Sequence, residues 1–170
     1  NIFDISKLFE MAGLGKVEDF LSVVTDPKIV KKLVGEGPES LEGYLYPETY
    51  QITKYTTATE LVTQMVKNFE SIYSLVSKNF SENNEALGLN KHQLVTLASI
   101  IEKETGAPQE RPLISSVFHN RLRKGMLLQT DPTIIYGIEE QTKQPVLNVT
   151  HEDIRRPTRY NTYVIKGLPP

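Results

Sequence analysis

Glu102, Lys103 and Glu104 close an apolar helical run and stand just before Gly106. At about 100° per residue the two glutamates project roughly 160° apart, so they cannot serve one substrate atom together. Both lie at the negative end of the helix dipole, where a carboxylate's charge is disfavoured. A carboxylic acid that keeps its proton near neutral pH is what protonating a glycosidic oxygen requires. The plain alternative is a solvated pair at a helix end, and periodicity with the dipole leaves both open.

Two further clusters carry groups suited to sugar hydroxyls and acetamides. Gln129, Thr130 and Asp131 bring an amide, a hydroxyl and a carboxylate together before Pro132, an arrangement equally at home in an Asx-type turn. Tyr160 and Tyr163 flank Asn161 and Thr162, setting ring faces beside amide and hydroxyl groups, although an ordinary alternating strand has the same look. His92, His119 and His151 show no HExxH or other ligand spacing, and the sequence has no cysteine, so no metal site, disulfide or thiolate nucleophile is expected. Gly35 and Gly37 lack the pattern of a nucleotide loop, and no cofactor is expected. Asn79-Phe80-Ser81 and Asn148-Val149-Thr150 match a glycosylation sequon, a three-residue pattern that often arises by chance.

The elements that must position these groups are mostly helical. Ile2 to Val34 reads as short helices, with Asp4 or Ser6 as a first cap and Pro27 at the first position of another. Gly35-Glu36-Gly37-Pro38 is a break and the internal boundary. LEGYLYPETYQIT (41–53) is aromatic and β-favouring around one Pro, which predicts an irregular or edge strand. Thr59 to about Phe80 is a long helix with Leu61, Val62, Met65, Val66, Phe69, Ile72, Tyr73 and Val76 on one stripe. Asn90 to Thr105 is another, with Asn90 and Gln93 at capping-box spacing, Leu94, Leu97, Ala98 and Ile101 on its buried side, and Gly106 as the residue that ends it. A third runs from about Glu110 through Arg123 to Gly125, and the remainder reads as strand and loop with a short helix near His151 to Arg155. The fold class expected is α+β, helices packed on a small, partly irregular antiparallel sheet, with residues 1–37 a helical N-terminal segment and 38–170 the core.

At 170 residues, 39% hydrophobic and 24% charged, the chain has an ordinary globular composition. Its net charge of −2 gives no general attraction to nucleic acid or an anionic membrane, though Arg111, Arg121, Arg123 and Lys124 could form a local basic stripe. No apolar run approaches the roughly 20 residues of a membrane helix.

LEGYLYPETY (41–50), LVTLASIIEKETG (94–106), ERPLISSVFHNRLRKGMLLQTDPTIIYG (110–137) and YNTYVIKGLPP (160–170) resemble, in order and spacing, the signature blocks of the endolytic murein transglycosylase family, also called MltG or YceG-like. The resemblance implies a bacterial enzyme that cleaves the MurNAc–GlcNAc β-1,4 bond inside nascent glycan strands, leaves 1,6-anhydro-MurNAc ends and so terminates elongation. It implies that Glu104, the second Glu of the E-K-E-T block, is catalytic. By the same resemblance Gln129, Thr130, Asp131, Tyr160, Asn161, Thr162 and Tyr163 line the glycan groove. The implied partners are the peptidoglycan strand and peptidoglycan synthases, and no nucleic acid. The implied location is the outer side of the cell membrane, held by a single-pass anchor outside this fragment, and the core is expected to be truncated at its C-terminus relative to the family. A non-catalytic module gripping peptidoglycan or a partner through the same groove is the alternative, and a helical envelope scaffold a second.

Overall fold

The computed structural model describes residues 1–78 and 87–170, and the chain falls into two compact units, Asn1–Asn83 and Asn84–Pro170. In the first unit, helices α1 (Ile2–Met11), α2 (Val17–Val24) and α3 (Pro27–Val34) precede the long α4 (Ala58–Ser77). Local chemistry starts each one. Asn1 rather than Asp4 or Ser6 caps α1, and Asp4 answers as the other half of the capping box. The Asp26 carboxylate accepts from the Lys28 and Ile29 amides ahead of Pro27-led α3. Thr57 and Glu60 box the start of α4. Phe9, Phe20, Val24, Val30, Leu41, Tyr44, Val62 and Val66 fill the core between them. The expected stripe of α4 is buried only at Leu61, Val62, Met65 and Val66; Ile72 and Val76 further along are exposed. The expected helix end at Phe80 and the sequon at Asn79-Phe80-Ser81 lie outside the described residues.

The second unit contains α5 (Lys91–Glu104), a 3₁₀ turn (Pro108–Glu110), α6 (Arg111–Arg123), α7 (Asp131–Thr142) and the short α8 (His151–Arg155). α5 packs against both α6 and α7. Leu97, Ile100, Phe118 and Leu128 form its core, with Ile114, Leu122 and Leu168 packed around them. Asn90 and Gln93 form the expected capping box. The buried side of α5 is rotated from expectation, because Ile100 is inside and Ala98 is exposed. The helix ends differently too: Thr105 turns into extended backbone, and Gly106 is not among the glycines with positive φ.

The α+β expectation is overturned: among the described residues there is no strand, so the helices do not pack on a sheet. The 41–53 segment has the composition of a strand, but among the described residues there is no strand for it to pair with. Its backbone instead makes single bonds to helix carbonyls, Leu41 N to Val24 O at 2.9 Å and Tyr46 N to Met65 O at 3.4 Å. Its apolar residues are used as plugs, with Leu41 and Tyr44 buried and the Tyr44 ring set edge-on to Phe69 at 5.1 Å. The tail also differs. Thr130-Asp131-Pro132, read as a turn in the expected strand-and-loop region, starts α7. Proline's fixed φ suits a first helical turn as well as it suits a β-turn, and Asp131 complements the positive end of the helix dipole.

Candidate active site

Glu104 is the last residue of α5 and is exposed. Its Oε2 accepts a hydrogen bond from Thr130 Oγ1 at 2.5 Å. Glu102, on the other side of the helix, turns away and pairs with Arg111 at 2.7 Å. The two carboxylates therefore have separate surroundings, as their angular separation requires.

Thr130 immediately precedes α7 and is itself buried. It belongs to a closed set of hydroxyls. Thr130 N donates to Thr162 Oγ1 at 3.1 Å, Thr162 and Thr133 hydroxyls meet at 2.8 Å, and Thr133 Oγ1 donates to Thr130 O at 2.7 Å. Thr130 O lies 2.7 Å from Thr133 Oγ1 and 3.5 Å from Thr162 Oγ1, so the shorter bonds are made with Thr162 donating to Thr133. Gln129 N donates to Thr162 O at 3.1 Å, tying the stretch before α7 to the C-terminal loop. Gln129 has a φ of 52°, a left-handed conformation uncommon for a side-chain-bearing residue, and its side chain is exposed. Its Oε1 accepts weakly from Arg121 at 3.4 Å, while the same guanidinium nitrogen caps Leu128 O at 2.5 Å.

Asp131 accepts from the Tyr163 hydroxyl at 2.7 Å. That bond, then burial, then the negative charges of Asp131 and Glu104, push the Tyr163 phenol up to about 12 against an opposing pull from Arg121. Tyr163 thus stays a neutral donor through the physiological range. Tyr160 has its ring edge-on to Tyr136 at 5.0 Å with the Arg159 guanidinium 5.2 Å from its centre. Gly137 eases this approach, since a Cβ there would lie 3.1 Å from Tyr160 Cβ, closer than an ordinary van der Waals contact.

Of the residues expected at the site, the structure joins Glu104 to Thr130 and Tyr163 to Asp131, and runs Gln129 and Thr162 into the same loop pairing. Asn161 is used differently. It is buried, its Nδ2 donates to the carbonyls of Asp153, Ile154 and Arg156 at 3.1, 3.0 and 2.8 Å, and its Oδ1 accepts from Tyr163 N at 3.0 Å. These bonds close the C-terminal end of α8. Thr162 is likewise fully buried. Thr133 and Arg121 join the site without a mark in the sequence that sets them there. A hydroxyl three residues after Thr130 is a signal only once 131 onward is known to be helical, and Arg121 stood out only as one charge of a basic stripe. Among the described residues no three His, Asp or Glu side chains converge as an ion's ligands would.

The arrangement offers one carboxyl oxygen fixed by a buried hydroxyl and a second one, Oε1, that makes no hydrogen bond among the described residues. That is a geometry for passing a proton to and from a bound substrate.

The endolytic murein transglycosylase of Bacillus subtilis (strain 168) is 37% identical over 168 aligned residues, covering 98% of this chain and 43% of that protein. The endolytic murein transglycosylase of Streptococcus pneumoniae serotype 2 (strain D39 / NCTC 7466) is 35% identical over 176 aligned residues, covering 90% of this chain and 30% of that protein. The crystal structure of a YceG-like protein from Listeria monocytogenes matches at a TM-score of 0.81 and 30% identity, over 99% of this chain and 57% of that one. The chain thus spans less than half the length of the two transglycosylases. The family model for YceG-like proteins matches residues 2–170, nearly the whole sequence, and the chain belongs to the YceG-like family.

Proposed function

We propose that this chain carries the catalytic centre of an endolytic lytic transglycosylase, which cuts the MurNAc–GlcNAc β-1,4 bond of peptidoglycan with Glu104 as acid and then base. The observation that carries the reading is the Glu104 carboxyl group, held on one oxygen by Thr130 and open on the other. In the first step Glu104, carrying a proton, gives it to the glycosidic oxygen as the bond to the MurNAc anomeric carbon breaks. The MurNAc acetamide oxygen attacks that carbon, so no protein nucleophile is required. In the second step the sugar's own 6-hydroxyl displaces the acetamide and returns its proton to Glu104, closing the 1,6-anhydro ring. One carboxyl group serves twice, where most glycosidases use two. The second carboxylate of the candidate site, Asp131, is engaged by Tyr163 and held at the start of α7, which suits a part in loop order and substrate contact. The same reading sets the protein at the outer face of a bacterial membrane, held by an anchor beyond this segment, acting on nascent strands beside the synthases that extend them.

The test is mass spectrometry of products from uncross-linked glycan strands. Glu104→Gln is expected to abolish cleavage with folding and strand binding retained, and Asp131→Asn to reduce the rate only in part. Native product ends are lighter by one water than hydrolytic ends. Reducing MurNAc ends, or full activity in Glu104→Gln, would sink the mechanism.

A further inference from the structure

We infer that Thr130 is a positioning residue for Glu104: its hydroxyl holds Oε2, so that Oε1 is the oxygen that delivers and recovers the proton. The inference rests on the acid–base reading of Glu104 and assigns Thr130 a part other than contact with the sugar. Thr130 is only 1% exposed, too enclosed for its hydroxyl to meet a glycan directly.

Three observations set the direction of that hydroxyl. Thr130 occupies the N-cap position of α7, where a threonine oxygen ordinarily accepts from a backbone amide one or two positions into the helix. Here the side chain makes no such cap bond and its proton goes to Glu104 instead. The backbone on either side of that hydroxyl is pinned, with Thr130 N on Thr162 Oγ1 and Thr130 O on Thr133 Oγ1. Those two hydroxyls are themselves joined, so Thr130 is fixed by a buried ring rather than by a mobile surface contact.

A hydroxyl has one proton to give. The carboxyl oxygen that accepts it is the one without a proton of its own, which sends the acid's proton to Oε1. During the cycle the proton leaves Oε1 for the glycosidic oxygen and comes back to Oε1 from the sugar's 6-hydroxyl, while the Thr130 proton stays where it is. Glu104 needs such a hold, because it is exposed, sits at a helix end and has a side chain with several rotamers.

The experiment measures kcat and KM on uncross-linked glycan strands with the full-length protein carrying this chain. Thr130→Val keeps the shape and removes the hydroxyl. It is expected to lower kcat by on the order of 10- to 100-fold, the scale of one hydrogen bond to a carboxylate, with KM within about twofold. Thr130→Ser restores the donor and is expected to keep kcat within about threefold of native. Native kcat in Thr130→Val, equal loss in the serine variant, or a change in KM alone overturns the inference. If Thr130→Val lowers the unfolding midpoint, Thr130→Ala is compared with Thr130→Ser where both are folded, and equal rates overturn it. An active Glu104→Gln would instead remove the reading beneath. An inactive Glu104→Gln beside a fully active Thr130→Val would remove this inference alone.

Discussion

Asn161 separates a groove-lining role from a structural one, and Asn161→Asp tests it with almost no change of shape. The side-chain amide has two protons shared among three carbonyls, those of Asp153, Ile154 and Arg156, at 2.8 to 3.1 Å. Exchanging that nitrogen for oxygen removes both donors and turns an acceptor toward three acceptors in a site that is 1% exposed. The two lost bonds are worth about 1 kcal/mol each, and a buried carboxylate without a partner brings the total to about 3–5 kcal/mol. With a urea dependence of about 2 kcal/mol per molar, the unfolding midpoint read by far-ultraviolet circular dichroism should fall by about 2 M. The loss should be smaller at pH 4 than at pH 8, because the protonated acid is uncharged and still donates one bond. Asn161→Ala should fall between native and Asn161→Asp. An unchanged midpoint together with weakened binding of glycan strands would refute the reasoning and make Asn161 a ligand of the sugar.

Alkaline titration of phenolate absorbance should show Tyr44 and Tyr163 ionising late among the eight tyrosines, since burial pushes Tyr44 and the Asp131 bond pushes Tyr163 up to about 12. Both shifts are upward from 10, so the stability they support is complete below pH 10 and is lost as the pH rises toward 12. Tyr163→Phe should remove one late component, and a single transition near 10 for all tyrosines would count against the Tyr163–Asp131 bond. Glu102→Gln breaks an ion pair whose side chains are 59% and 38% exposed. It should cost less than about 1 kcal/mol in urea unfolding and leave the cleavage rate within about twofold; a loss matching that of Glu104→Gln would show that Glu104 does not act alone as acid and base.

What the sequence made legible was local chemistry. Asn90 with Gln93, and Pro27 after Asp26, act on their own next few residues, so their helix starts could be read without knowing the rest of the chain. What it hid depended on partners far along the chain. The 41–53 segment has strand composition, but composition measures fit to a pleated, half-buried surface and says nothing of whether a pairing strand exists. Leu41 and Tyr44 found a helical core instead. The buried face of α5 turns on Ala98 and Ile100, two residues whose exposure is decided by where α6 and α7 lie rather than by period. Thr-Asp-Pro satisfied both a turn and a helix start, and only the downstream residues, Ile134 and Ile138 buried a turn apart, decide for the helix.

The candidate site shows why such conflicts gather around function. From the sequence, Glu104 could be set against one helix end only, the negative terminus of α5, which disfavours a charged carboxylate. The structure adds a second helix end, because Thr130 heads α7 and donates to that carboxylate, and an N-terminus favours negative charge. Each effect is worth about 0.3–1 kcal/mol and they oppose each other, so neither dipole decides the chemistry of Glu104 by itself. The short-range contact then matters more than the field, because the Thr130 hydroxyl holds the same oxygen whether or not the group carries its proton, at about 0.5–1.5 kcal/mol for a neutral acceptor and about 1.5–3 kcal/mol for a charged one. Around that contact the local rules are broken together: an N-cap threonine without its cap bond stands beside Gln129 at positive φ. A chain optimised for local stability would have capped α7 with Thr130 and set glycine at 129. Keeping both departures next to the Glu104 carboxyl is physically consistent with a loop shaped to hold one oxygen of that group.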